Sequence, residues 1–138
     1  MERKRLVGFI ASGVYKPSLN IQTAMGVFVT ATIDTGFNGE LLMDLVTATR
    51  LSVEMVGEDY PVVLAGGILG DCQMGILSIV WLGGVRDIRV LVLQAQIRTQ
   101  SVARFSMPTK EVLIGTRLMY PNRLTIDFAE ESVVLDRP

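Results

Sequence analysis

Apolar and polar positions alternate with a period near two along most of the chain, the signature of half-buried strands. "RLVGFIASGVY" is apolar and partly alternating, and "KPSLN" follows it with turn residues. "AMGVFVTATI" is a β-branched run that ends at Asp34. "GEDYPVVLAGGILGDCQMGILSIVWL" reads as two or three strands broken by glycines. Gly83-Gly84 stands between "LSIVWL" and "DIRVLVL", a two-residue hairpin signal. Near the C-terminal end, "RLTIDF" and "SVVL" flank "AEE", a second hairpin.

Helical patterns are few. "DLVTATRL" after Met43 predicts a short helix with Asp44 as its N-cap. "GTRLMY" after "EVLI" predicts one or two turns stopped by Pro121. "QAQIRTQSVARFSMPTK", residues 94–110, is polar, contains Pro108 and has no clear period. It is expected as a long surface loop, an interface element or lid, or a short amphipathic helix between loops. No linker or low-complexity tract divides the chain, so residues 1–138 are expected as one domain. The expected class is all-β, mostly antiparallel, closed or sandwich-like, with one or two short helices.

Composition narrows the possible chemistry. The chain is 49% hydrophobic with a mean hydropathy of +0.41, which excludes disorder and hints at apolar surface kept for a subunit interface. Net charge is −1 and the Lys and Arg residues are scattered, so no nucleic-acid partner is expected. The start "MERKRLVGFIASG" has some features of a signal peptide, but its apolar run is only "LVGFIA" and strand-like sequence follows. No apolar run is long enough to span a membrane, and a cytoplasmic protein is expected.

The chain has 0 histidines and one cysteine. This removes Ser-His-Asp and Cys-His catalysis, HExxH zinc sites and cysteine-rich metal sites. Cys72 is expected as a small core or loop residue. No metal or cofactor is expected, and "GGILG" lacks the Gly-Lys-Ser/Thr ending of a phosphate-binding loop. Asp59, Asp71 and Asp87 read as loop or turn acids, Asp127 as solvent-facing or paired, and Glu130 and Glu131 as hairpin-turn charges.

That leaves Asp34, in "VTATIDTGFNGEL". A strand delivers it, Thr35 offers a hydroxyl to nearby backbone, and Gly36 permits a sharp turn and close approach. An Asp-Thr-Gly tripeptide taken alone is an ordinary β-turn. The wider pattern is more specific. "ATIDTGFNGELLMD", the glycine-rich "LAGGILGD" and "EVLIGTRLMYPNRLTIDF" follow one another in order over most of the chain. Together they resemble the retropepsin-like aspartic proteases, in particular the small bacterial and archaeal-type branch.

The resemblance implies a closed β-barrel active as a two-fold homodimer. Each chain supplies one Asp34, and the pair activates a water that hydrolyses a peptide bond. It implies that Thr35 bonds across the dimer and that Gly36 presents its carbonyl to an extended peptide substrate. Leu113, Ile114 and Gly115 would support the loop from beneath, and Ala65, Gly66, Gly67 and Ile68 would form a flap tip over the substrate. Phe37 departs from the small residue usual in retroviral members, so it is expected to crowd the site or redirect specificity. The terminal segments do not match the interleaved dimer strands of retroviral enzymes. The competing readings are a catalytically silent barrel that binds peptides or proteins, and a purely structural dimerisation module.

Overall fold

The computed structural model describes residues 4–64, 68–93 and 112–138, with only the backbone course described for 58–64 and 68–70. Ten strands and two short helices occur among these residues. They run β1 (Arg5–Ala11), β2 (Lys16–Thr23), β3 (Phe28–Ile33), β4 (Leu41–Asp44), α1 (Leu45–Arg50), β5 (Glu54–Leu64), β6 (Ile68–Trp81), β7 (Gly84–Leu93), β8 (Val112–Ile114), α2 (Thr116–Met119), β9 (Arg123–Asp127) and β10 (Ser132–Asp136).

Six of the strands close into a barrel, in the order β6-β7-β4-β8-β3-β2, with β6 returning to β2 through Gln22↔Val80 and Thr23↔Ile79. Closure leaves β5 and β9 as the two edge strands of the sheet. Most pairs are antiparallel, as the alternating pattern implies. The exceptions are β3 with β8 and β4 with β7, which run parallel. Alternate residues of the ring strands, including Leu19, Ile21, Ala31, Leu41, Met43, Ile79, Val90 and Ile114, fill the interior and are at most 2% exposed. Outside the ring, β5 lies against β6, and β1, β10 and β9 extend from β2 as a wing.

Both helices form where the sequence pattern predicts them. The Asp44 side chain accepts the Thr47 backbone N–H at 2.8 Å and so caps α1. α2 ends at Tyr120, just before Pro121.

Several local expectations change. The first turn is residues 12–15, and "KPSLN" already belongs to β2. Pro17 sits second in its strand, near an end, where a missing N–H is tolerated. The β6–β7 turn is Leu82-Gly83 rather than Gly83-Gly84, with both turn residues at positive φ (49° and 85°) as a type I′ turn needs. β6 runs unbroken through Gly70 and Gly75. At Gly75 a side chain would collide with Val53, so that glycine serves close packing and does not end a strand. Because the hairpins run this far, Asp59, Asp71 and Asp87 lie within β5, β6 and β7 and not in loops. Residues 94–110 lie outside the described residues.

Candidate active site

Asp34 follows the last residue of β3. Its backbone N–H donates to the Ile114 carbonyl at 2.9 Å, extending the parallel β3–β8 pairing by one bond. Its carbonyl accepts the Phe37 N–H at 3.1 Å, closing a turn over Asp34–Phe37. Its Oδ1 accepts the Gly36 N–H at 2.9 Å, which holds the carboxylate in one orientation. Asp34 itself is half-buried, while Thr35 and Gly36 are exposed.

The chain then turns inward. Phe37 is 9% exposed and shares a buried cluster with Leu42, Cys72 and Leu93, against which Leu91 and Leu113 pack. Its carbonyl accepts the Thr116 N–H at 2.9 Å and the Thr116 hydroxyl at 3.3 Å. The Gly39 carbonyl accepts the Arg117 N–H at 3.2 Å, and the Glu40 carbonyl accepts the Gly115 N–H at 3.0 Å. Residues 34–40 are thus sewn by backbone bonds to the single segment 114–117, the end of β8 and the start of α2.

Gly115 is where the two segments touch. A side chain there would strike the Gly39 carbonyl, and would come within 2.7 Å of both the Phe37 ring and the Phe37 carbonyl. No larger residue fits without moving backbone. Ile114 is fully buried and Leu113 partly so, opposite Ile33 and Thr32, the two residues just before Asp34.

Several of the residues singled out in the sequence therefore come together: Asp34, Thr35, Gly36 and Phe37 form one loop, and Ile114 and Gly115 pair with it. Phe37 points into the protein, into the cluster beneath the loop. Ile68 opens β6 and pairs with Leu64 of β5, while Ala65, Gly66 and Gly67, which separate these strands in the sequence, lie outside the described residues. Among the described residues, no group of three or more His, Cys, Asp or Glu side chains is placed to hold a metal ion.

Glu40 escaped the sequence reading. It is 8% exposed, and its carboxylate accepts the Arg89 backbone N–H at 3.0 Å and the Arg86 guanidinium at 3.1 Å. A buried carboxylate is costly unless it is satisfied in this way. Glu40 therefore fastens the loop to β7 on the side opposite α2. Its one sequence signal is an acid immediately before the apolar run "LLMD".

Cys72 is fully buried, and burial, with a smaller contribution from the Asp71 charge, pushes its thiol up to about 11. It acts as a core residue, since a nucleophilic thiol needs its pKa lowered. Asp127 is exposed, and its Oδ1 accepts the Glu130 N–H at 3.1 Å. A cavity of about 530 Å³ lies elsewhere, lined by Trp81, Leu82, Arg86, Tyr120, Pro121 and Arg137 among others, and includes none of the Asp34 loop.

The register also shows what shares the Asp34 end of the sheet. Ser18 pairs with Thr32 and Ala11 with Lys16, so the β1–β2 turn lies at that end. Phe9 pairs with Ser132 and Asp127 with Ser132, which brings the β9–β10 turn there as well. These turns expose Val14, Tyr15 and Phe128 at 58%, 74% and 61%.

No family model matches the chain, and no curated protein matches it. Among solved structures it is similar to EIAV protease complexed with the inhibitor HBY-793, at 15% sequence identity and a TM-score of 0.54. The match covers 79% of this chain and 89% of that one. The likeness shows the fold: a retropepsin-like closed β-barrel with two short helices.

Proposed function

We propose that this protein is an aspartic endopeptidase of the small prokaryotic retropepsin-like branch, active as a homodimer in the cytoplasm, with one Asp34 from each subunit. The observation that carries this reading is the Asp34 loop. A carboxylate at a strand end is oriented by the Gly36 N–H, and its loop is bonded to the end of β8 and the start of α2. That rigidity is what a preorganised catalytic group requires. The fold supports the same reading, because a single chain of this kind carries only half of a two-carboxylate site.

In the dimer the two Asp34 carboxylates meet on the two-fold axis. Two carboxylates that close share one proton, as in aspartic proteases generally. The ionised member acts as general base on a bound water, and the protonated member polarises the scissile carbonyl and then protonates the leaving amine. No covalent intermediate with the enzyme forms. The pair titrates as a unit, so its apparent pKa values belong to the dyad. Thr35, exposed beside Asp34, bonds to its mate across the axis, and Gly36 presents its carbonyl to an extended peptide. The β5–β6 hairpin serves as a flap over the substrate. The substrates are extended peptides with apolar side chains at the cleavage point. The exposed Val14, Tyr15 and Phe128 supply apolar surface for the second copy to cover.

The test is cleavage of a peptide library at mildly acidic pH by the wild type and by Asp34→Asn. The expected result is cleavage by the wild type alone, with the same dimer mass for both proteins. Cleavage that survives the substitution overturns the assignment of Asp34. A dimer that cleaves nothing in either form supports a binding module instead.

A further inference from the structure

The least expected residue of the loop is Phe37. An aromatic ring after Asp-Thr-Gly was expected to crowd the site or select substrates. It lies instead beneath the loop, 9% exposed, in the space left open by two glycines. The three heavy atoms nearest a side chain at Gly39 would all belong to the Phe37 ring, with ring carbons at 2.8 and 3.3 Å and one closer still. A side chain at Gly115 would meet the same ring at 2.7 Å. The ring therefore fills the gap between the two backbone segments that hold Asp34.

The ring's other neighbours lie in different elements. Its cluster contains Cys72 of β6 and Leu93 at the end of β7, and these two residues pair with each other in the sheet. Cys72 also pairs with Tyr60 of β5. This is the stretch of β5 and β6 from which the hairpin runs out to the Leu64↔Ile68 pair. One buried cluster thus joins the carboxylate loop and the root of the hairpin. Close-packed interiors transmit displacement, because a ring in such a site cannot shift without moving its neighbours.

We infer that Phe37 is a positioning residue: its ring sets the height and orientation of the Asp34 carboxylate from below and links the Asp34 loop to the root of the β5–β6 hairpin. Its functional consequence rests on the aspartic protease reading, but its structural consequence does not. Phe37 touches no substrate in this scheme. It acts through the Asp34–Phe37 turn and through Gly39 and Gly115.

The experiment combines two readouts. Amide hydrogen exchange at Gly36, whose N–H bonds to the Asp34 carboxylate, and at Gly115 reports loop geometry whether or not the protein cleaves anything. It is measured in the wild type, Phe37→Ala, the milder Phe37→Leu, Gly39→Ala and the Phe37→Ala/Gly39→Ala double variant. The expected result is that Phe37→Ala lowers protection at Gly36 and Gly115 about tenfold or more, while the Val133 amide of the distant β10 keeps its wild-type rate. Phe37→Leu, which still fills much of the space, should lose less. Gly39→Ala should loosen the wild-type loop much more than the Phe37→Ala loop, because the three atoms nearest its added methyl all belong to the ring. Equal protection in Phe37→Ala and wild type, or an equal Gly39→Ala effect in both backgrounds, overturns the inference.

The kinetic arm applies once the wild type cleaves peptide. Phe37→Ala should lower kcat by about tenfold to a hundredfold, the scale of a catalytic group displaced by about 1 Å, with KM within about twofold. A loss confined to KM would make Phe37 a substrate contact and overturn the positioning role. A wild type that cleaves nothing refutes the protease reading and leaves the exchange result to decide the inference.

Discussion

Two loops in this protein begin in the same way. Asp34 directly follows β3 and Asp127 ends β9, and each uses its Oδ1 to accept a backbone N–H a few residues on, from Gly36 at 2.9 Å and from Glu130 at 3.1 Å. Beyond that bond they diverge. After Asp127, residues 128–131 are all exposed and the chain simply returns along β10. After Asp34, Phe37 and Glu40 turn inward, and residues 37, 39 and 40 each bond to residues 115–117. The comparison teaches that an aspartate-capped turn is common local chemistry. What distinguishes Asp34 is that its turn is fixed by elements distant in sequence. A group held that firmly is preorganised, whereas a group on a free hairpin is only solvated.

The largest contrast should appear in activity. Asp34→Asn is expected to lower peptide cleavage by at least about 10²–10⁴-fold, the range of general acid–base catalysis, while Asp127→Asn leaves kcat/KM within about twofold. Equal effects would erase the distinction between the loops. Next is packing. Gly115→Ala forces a methyl group against the Gly39 carbonyl and should destabilise the protein by about 3 kcal/mol in urea denaturation. A substitution of similar size in the other loop, Ala129→Val, should change stability by less than about 0.5 kcal/mol.

Glu40 sharpens the comparison further. Glu40→Ala leaves the Arg89 N–H without its acceptor and should cost about 1–3 kcal/mol, whereas Asp127→Ala, which removes an exposed turn bond, should cost under about 1 kcal/mol. The last effect is a pH dependence from the cluster beneath the Asp34 loop. The Cys72 thiol titrates near 9.0 when unfolded and near about 11 when folded, so the folded state disfavours the thiolate. Its contribution is fully present below pH 9.0 and is lost as pH rises toward about 11, by no more than about 1.4 kcal/mol per pH unit. Urea midpoints at pH 8 and at high pH should therefore fall more steeply for wild type than for Cys72→Ala. Parallel slopes would show that the thiol ionises freely.

Much of the barrel was legible in the sequence because its strands carry the β-branched alternation that a closed ring requires. The C-terminal hairpin, the Asp44 cap and the helix before Pro121 follow from local chemistry alone. The errors came where packing overruled local preference. Leu82 takes a positive φ that its side chain disfavours, which moved the β6–β7 turn by one residue. Gly75 reads as a break, yet it makes room for Val53 inside a continuous strand.

The site divided in the same way. Asp34, Thr35, Gly36 and Gly115 were singled out only through the resemblance carried by the wider pattern around "IDTG" and "EVLIG". The role of Glu40 depends on Arg86, 46 residues away, and could not be read locally. Phe37 was visible as an anomaly, but its place beneath two glycines depends on a pairing that only the fold creates.

The central claim is that one catalytic site is shared between two chains. Mixing tests it most directly. Wild type and Asp34→Asn are combined in equal amounts, allowed to exchange subunits, and assayed at a concentration where both are dimeric. If each site needs two Asp34 residues, random pairing leaves only wild-type homodimers active, and cleavage falls to about one quarter of that of the same total amount of wild-type protein. If each chain carries a complete site, cleavage falls only to about one half, and the shared-site account is contradicted.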